Sequence, residues 1–458
     1  MIENDAFKLL LINLFHLNPD DIANILCTTF NKMMVLVVTL TDKHQACPYC
    51  GFTAPKIKEY VTKEITHSAL TTQKCIIKYR ARRYKCSCCG KTYYEFNPFV
   101  FKSQKISILT VHNILKDLKD FNETFTSVAR RYHVSPTSVS TIFDNHVDIG
   151  RNPLPEIINF DEVYAFKSEK SKYVCVILDF KKQIPVDVLP NRKKEYLLNY
   201  FQKIPLEERK KVKYACSDMY EVYRDVVHKV FPSCCMLLDY FHLSQDFHRK
   251  MNEVRIKVMK GYKDNKASDE YYLLKKFNWL LFKNPEDEDK YGRLFDVERE
   301  RKYNSHFKSY MNYYDLRKKL LEINNDLTIC YSLKLELVDF YSKSTIDNAK
   351  VNLENLIRSC IDTNIDEMIA FSNNLINWKQ EIINSFTIVG TEYKVEADKG
   401  QVVVCNKKVN NAIIENRNKI IKCIKNNANG YTNWPRFRNR VMYVLDPNAT
   451  FSLEPREK

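Results

Sequence analysis

The chain has 458 residues, 45% of them hydrophobic, and its 72 lysines and arginines against 56 aspartates and glutamates leave a net charge of +16. That length exceeds one ordinary domain and suggests about three at roughly 150 residues each; the basic excess favours a polyanionic partner, nucleic acid first. No apolar run reaches the roughly 18 residues of a membrane span, which excludes a helical membrane protein.

In chain order, residues 1–40 open with Phe7, Leu10, Leu11 and Leu14 at i, i+3, i+4 and i+7, the apolar face of a helix, followed by the strand Met33–Leu40. Met1–Asn18 lacks a basic n-region and a small-residue cleavage site, and most of the 15 cysteines stand singly in apolar stretches, so reduced thiols in a cytoplasm are expected. Residues 41–104 hold two cysteine pairs of another kind. Cys47-Pro48-Tyr49-Cys50-Gly51 is answered by Cys86-Ser87-Cys88-Cys89-Gly90. Two CxxCG knuckles on either side of strand-like sequence predict a zinc ribbon, because each spacing lets two thiolates converge on one tetrahedral ion and each glycine lets the turn close. Spacing prefers Cys86 and Cys89 and leaves Cys88 spare. Arg80, Arg82 and Arg83 alternate with aromatics between the knuckles, a pattern that suits DNA contact as well as it suits a solvated basic strand.

Residues 105–149 predict a helix-turn-helix over Thr126–Phe143, with Ala129 at the crossing, Ser135 as cap and Pro136 starting the second helix. Val139 and Ile142 face inward in this reading, and Thr137, Ser138, Ser140 and Thr141 face a DNA groove. His133 stands where such turns often carry glycine.

Residues 150–242 contain five apolar runs and two helical ones in the order β-β-β-α-β-α-β. Asp161 lies on the first strand, Asp218 just after the fourth, and Asp239 ends the fifth. The layout resembles an RNase H-like core, in which the first and fourth strands are neighbours. Clustered carboxylates repel unless a cation sits between them, so Mg²⁺ or Mn²⁺ is expected. Asp179 is the rival ligand, ranked lower because an antiparallel second strand ends beside the start of the first.

Residues 243–400 read almost wholly as helices. In residues 401–458, VNNAIIENRNKIIKCIKN forms an amphipathic helix whose stripe is Ile413, Ile414, Ile420, Ile421 and Ile424. Asn411, Glu415, Asn418 and Lys422 share the other face, which offers Glu415 to the site. The sequence Tyr431–Arg440 then reads as a basic-aromatic tail, with Arg436, Arg438 and Arg440 as DNA contacts.

Taken in order, the CPYCG ribbon, the helix-turn-helix, NFDEVYAF, CSDMYEVY, LLDYFHLSQ and NNAIIENRN…IIKCIK…NGYTNWPRFRNRV resemble bacterial insertion-sequence transposases of the L-three type, relatives of the Mutator-like group, over nearly the whole chain. The resemblance implies a DDE triad of Asp161, Asp218 and Glu415, and an all-helical insertion between the fifth strand and the glutamate helix. It also implies metal-dependent cleavage and joining of double-stranded DNA at terminal inverted repeats and target sites, by a homodimer or larger assembly in a bacterial cytoplasm. Asn410, Ala412 and Asn416 depart from the family pattern beside Glu415. Asp239 and His242 match its Asp-x-x-His motif; they are expected to hydrogen-bond to each other, organise the junction with the insertion and stay out of the metal shell. The fold class expected is therefore multidomain α+β, with an RNase H-like core of five mixed strands interrupted by an all-α insertion. Two rivals are a DNA-binding regulator with an inactive core, which predicts loss of an acid that is not lost here, and an RNase H-like nuclease, which would need neither ribbon nor insertion.

Overall fold

The expected strand Met33–Leu40 (β2) has a partner that the sequence reading passed over. Ile22–Phe30 (β1) pairs with it antiparallel through Asn31 and Lys32, whose φ values of 48° and 61° are those of a type I′ hairpin turn. In this computed structural model, the structure describes residues 2–43, 46–68, 72–101, 104–166, 171–395 and 402–456. The end of the expected insertion at residues 396–400, and residues 401 and 457–458 of the final segment, lie outside these.

Between and beyond the cysteine knuckles run β3 (Lys56–Thr66), β4 (Cys75–Lys85) and β5 (Thr92–Tyr94). Strand β2 pairs parallel with β4, so residues 1–40 and the knuckle strands share one sheet of order β1-β2-β4-β3, with β5 on β4. Helix α1 (Ile2–Leu14) packs on it through Leu11, with Ile12 and with Phe15 just beyond its end. Of the expected helix face only Leu11 is buried; Phe7, Leu10 and Leu14 are exposed. This helix is apolar on more than one side, so periodicity alone allowed two faces, and the sheet selected the other.

Helices α2 (Ile108–Asp117), α3 (Phe125–Arg131) and α4 (Pro136–His146) follow. Thr124 and Ser127 cap α3 reciprocally, and Ser135 accepts the Ser138 N–H to cap α4 ahead of Pro136. His133 takes φ 54° in the turn, so a histidine occupies the left-handed position that favours glycine. Val128, Ala129, Val139, Ile142 and Phe143 form the small core.

The central sheet has order β10-β9-β6-β7-β8, from β6 (Ile157–Val163), β7 (Val174–Asp179), β8 (Pro185–Leu189), β9 (Tyr214–Ser217) and β10 (Cys235–Leu238). Strands β6, β9 and β10 run parallel, while β7 and β8 alternate in direction. Helices α5 (Lys194–Gln202) and α7 (Glu221–Val230) cover one face, with the short α6 (Leu206–Arg209) between them. On the other face lie α15 (Ala412–Asn427) and α16 (Trp434–Leu445), through Ile414, Ile421, Phe437 and Val441. Strand periodicity sorts the residues of β6: Ile158 and Phe160 enter the first core, Val163 the second.

Between β10 and α15 stand α8 (Tyr240–Lys260), α9 (Asp269–Lys276), α10 (Tyr313–Glu322), α11 (Asn325–Lys343), α12 (Ala349–Asp362), α13 (Asp366–Asn377) and α14 (Lys379–Asn384), around one core of their own. This stretch is not purely helical. It contains two short hairpins, β11 (Glu288–Asp289) with β12 (Gly292–Arg293) and β13 (Lys302–Asn304) with β14 (Ser309–Met311). It then ends in β15 (Ile388–Val395), which pairs antiparallel with β16 (Val402–Lys408). The β-branched and aromatic content of these two strands favours extended backbone over helix. Among the described residues no helix is long and apolar enough to cross a membrane.

Candidate active site and metal centres

The two CxxCG turns have the same build. Gly51 N donates to Cys47 O at 2.8 Å and Gly90 N to Cys86 O at 3.0 Å, with φ of 73° and 71° at the two glycines. Strands β3 and β4 bring the turns face to face, and one sulfur from each of Cys47, Cys50, Cys86 and Cys89 lies within 4.8 Å of the others. Cys47 Sγ is 3.7 Å from Cys89 Sγ and Cys50 Sγ is 3.5 Å from Cys86 Sγ. Sulfurs bound at about 2.3 Å to a tetrahedral ion stand about 3.8 Å apart, so the donor set and spacing suit such an ion. The backbone N–H of Cys89 points at Cys86 Sγ and brings that thiol down to about 7. Cys88 is exposed and outside the cluster.

The second centre lies at the carboxyl edge of the parallel strands. Asn159 pairs with Cys216 and Ser217 with Leu238. Carrying that register forward places Asp161, Asp218 and Asp239 level with one another on three adjacent strands. Asp161 shares the face of Asn159 and Val163, towards α15, where Asn418 Nδ2 donates to its Oδ2 at 2.7 Å. Glu162, one residue on, points the other way, to Arg192 and to the Tyr223 hydroxyl at 3.3 Å. Burial pushes Asp161 up to about 7, against the Glu162 N–H that favours its charge; the Asp218 carboxylate adds to the rise. Burial likewise lifts Asp218 to about 6, helped by Glu162. Asp239 is raised by burial too.

Glu415 sits in the first turn of α15, with Ile414 and Ile421 of that helix buried against the sheet. Asn411, just ahead of the helix, ties it down: Asn159 Nδ2 donates to Asn411 Oδ1 at 2.6 Å, and Asn411 Nδ2 to Phe160 O at 3.2 Å. Glu415 faces His242, whose Nε2 lies 3.8 Å from Glu415 Oε1 and 3.8 Å from Asp239 Oδ2. The expected Asp239–His242 hydrogen bond is therefore not made, since 3.8 Å is beyond bonding range. Asp179 is held elsewhere: it pairs with Ile158 near the start of β6, and its Oδ1 accepts the Lys181 and Lys182 N–H groups at 2.9 and 3.0 Å.

Several expected DNA contacts are committed inside the protein. Arg436 pairs with Asp144 of α4 at 2.6 Å, and Arg438 with Asp187 of β8 at 2.7 Å. Arg440 is 1% exposed and donates to Asp120 O and Glu123 O. The supposed tail is helix α16, because Phe437, Val441, Met442 and Leu445 continue an apolar stripe that the basic residues had hidden. Arg82 is a strut between Glu95, at 2.8 Å, and Leu40 O. Ser140 is buried and donates to Thr137 O, so it is not a groove residue. Thr137 and Thr141 are exposed, Ser138 is half-buried, and Arg80 is exposed over the Tyr60 ring. Arg83 pairs with Glu59.

Sequence reasoning missed Arg192 and gave Asn418 no role. The Arg192 guanidinium stacks over Tyr173 and Tyr220 at 4.5 and 4.6 Å and helps hold Asp218 ionised. Its isolated place in a loop gave no signal. Asn418 had one, since it lies three residues from Glu415 on the same helix face.

A family model described as a transposase, of the DDE and insertion-sequence L-three type, matches residues 158–402, more than half of the chain. The chain is also 19% identical over 411 residues, 89% of its own length and 91% of the relative's, to the transposase for insertion sequence element IS1001 of Bordetella parapertussis. The match begins at β6 and runs through the central sheet and the helical insertion, so this chain belongs to the L-three family of insertion-sequence transposases.

Proposed function

We propose that the protein moves a bacterial insertion sequence by binding its terminal inverted repeats and carrying out metal-dependent cleavage and joining of DNA strands. The observation that carries this reading is that Asp161 and Asp218 lie level on adjacent strands at the carboxyl edge of a mixed sheet, with Glu415 on the helix packed above and beside Asp239, in a chain of this family. Buried acids placed level on neighbouring strands destabilise the metal-free fold, which is the mark of a cation site. Mg²⁺ or Mn²⁺ held by Asp161, Asp218 and Glu415 would supply Lewis-acid chemistry, raising the nucleophilicity of water or a 3′-hydroxyl and steadying the leaving oxygen.

The chain's own residues prepare that site. Asn418 and the Glu162 N–H fix the two oxygens of Asp161. The Tyr220 N–H holds Asp218 Oδ1 at 3.2 Å. The isoleucine stripe of α15 sets the direction of Glu415.

The remaining parts take supporting roles in this reading. Residues 41–104 form a zinc ribbon with Zn²⁺ on Cys47, Cys50, Cys86 and Cys89. Residues 105–149 form a helix-turn-helix presenting Thr137, Ser138 and Thr141 to DNA, with Arg80 on the neighbouring sheet. Residues 150–242 and 401–458 make the RNase H-like core around an insertion at 243–400. Two element ends are processed together, which calls for a dimer or larger assembly.

The test is nicking of a labelled duplex carrying the inverted repeat that flanks the gene, with Mn²⁺ or Mg²⁺. Glu415→Gln should bind the duplex as the parent does and cleave it slower by orders of magnitude. Asp179→Asn, whose amide oxygen can keep the turn bonds, should cleave normally. Normal cleavage by Glu415→Gln would remove this residue from the site.

A further inference from the structure

We propose that Asp239, His242 and Glu415 form a divalent-cation site with a nitrogen ligand, so that the ion shared with Glu415 binds between β10, α8 and α15 and prefers Mn²⁺ to Mg²⁺. The inference rests on the catalytic reading above for Glu415, but its geometry stands apart from Asp161 and Asp218.

Four observations support it. One donor atom from each of the three residues lies within 4.8 Å of the others. His242 Nε2 is sealed from solvent and has no hydrogen-bond partner, although two carboxylate oxygens flank it at 3.8 Å. A buried imidazole nitrogen that bonds to neither of two acids beside it wants something between them. Two ligand bonds of about 2.1 Å span 3.8 Å at an angle of about 130°, and closing the gap by about 0.8 Å reaches the right angle of an octahedral ion. The backbone also fixes one of the donors. Asp239 ends β10, level with the other strand-end aspartates, and the Asn411 N–H next to α15 donates to Asp239 Oδ1 at 3.3 Å, leaving Oδ2 towards His242. Access exists as well, since Asp239 and Glu415 line a cavity of about 670 Å³.

The donor set decides the metal. Mg²⁺ prefers an all-oxygen shell and dehydrates reluctantly, so one imidazole disfavours it relative to a first-row transition ion, and Mn²⁺ is the member of that series that also suits two carboxylates. His242 therefore acts here as a ligand, and Asp239 does more than organise the junction between core and insertion.

The experiment uses the full-length chain, holding one equivalent of zinc for the cysteines and no excess, titrated to one equivalent of Mn²⁺ and read by pulsed electron paramagnetic resonance. The parent should show the ¹⁴N coupling of a directly bound imidazole. His242→Gln should lose that coupling, and Asp161→Asn should keep it. Glu415→Gln should weaken Mn²⁺ binding at least tenfold while the remaining bound ion keeps the coupling. Circular dichroism checks that each variant is folded. A parent without ¹⁴N coupling, as when His242 serves only as a protonated counter-ion, would overturn the proposal, and so would coupling that survives in folded His242→Gln. If coupling appears as described but the parent cuts no inverted-repeat duplex, the metal site stands and the cleavage reading fails instead.

Discussion

In the cysteine centre each half is complete within five residues of chain, whereas the carboxylate centre draws on strands and helices from Asp161 to Glu415. A CxxCG turn makes its own hydrogen bond, sets its glycine at positive φ and aims two sulfurs before any tertiary contact forms. The acids have no such local support. Asp161, Asp218 and Asp239 become level only through the register of three parallel strands, and Glu415 comes beside Asp239 and His242 only when α15 docks. The difference extends to energetics. In the proposed reading, metal at the thiolates would hold together structure that has little core of its own, while the carboxylates burden a sheet that is folded without them.

The largest expected effect tests the first half of that contrast. The knuckle end of the N-terminal sheet has only Cys47, Tyr84, Cys86 and Tyr93 as its buried cluster, whereas the α1 end has Leu11, Phe15, Leu36, Ile77 and others. Removing a structural zinc of this kind forfeits on the order of 10 kcal/mol of binding free energy. Cys47→Ser should lose the zinc by elemental analysis. Hydrogen exchange should find the amides of Tyr84–Tyr94 unprotected, with those of Ile65 and Ile77 still protected. Global melting of the sheet would show that the two ends are one cooperative unit.

Next in size is a pH effect on the joint between the two N-terminal units. His67 is buried between Phe15 O and Ser107 Oγ, and burial pushes it down to about 4 from an ordinary value of 6.5. Between those values the unfolded chain binds a proton that the folded one refuses. Stability is therefore complete above pH 6.5 and is lost as pH falls towards 4, by about 3 kcal/mol at 1.36 kcal/mol per unit. Denaturant melts at pH 7 and pH 5 should show this slope, and His67→Gln should flatten it.

Asp161 should slope the other way over nearly the same window. Its folded value of about 7 exceeds its unfolded value of 3.8, so the metal-free core binds the extra proton and loses stability as pH rises from 4 to 7. Asp161→Asn should raise the metal-free melting temperature at pH 8 by the equivalent of about 1–2 kcal/mol, since the amide loses one hydrogen bond but sheds a buried charge. Saturating Mn²⁺ should reverse the order by stabilising only the parent. A lower melting temperature for Asp161→Asn without metal would mean that the carboxylate is structural.

The smallest effect concerns the turn before α4. His133→Gly should stabilise the helical unit by about 0.5 kcal/mol, because glycine meets φ 54° without the side-chain penalty and gives back part of the gain in unfolded-chain entropy. Thermal melting of the two proteins side by side is sufficient to see it.

Much of this molecule was written locally. The knuckles, the cap Ser135, the five strands of the central sheet and the α15 stripe all follow from spacing, turn chemistry and period, and the structure forms them where those rules put them. Burial and partnership were not written locally. Nothing in the sequence around Phe7, Leu10 and Leu14 says that the sheet will take Ile12 and Phe15 instead. Nothing around Arg436, Arg438 and Arg440 names Asp144, Asp187 and the Asp120 carbonyl, residues about 250 to 320 positions away, as their partners. An arginine that binds phosphate and one that ties two units together have the same side chain. The alternation that turns Asp161 towards α15 and Glu162 away is a property of any strand, but which face α15 would cover was settled by its docking. The meeting of Asp239, His242 and Glu415 was settled in the same way. Local rules act over one turn or one strand pair, and a site drawn from four elements exists only once the sheet register and the helix above it are in place.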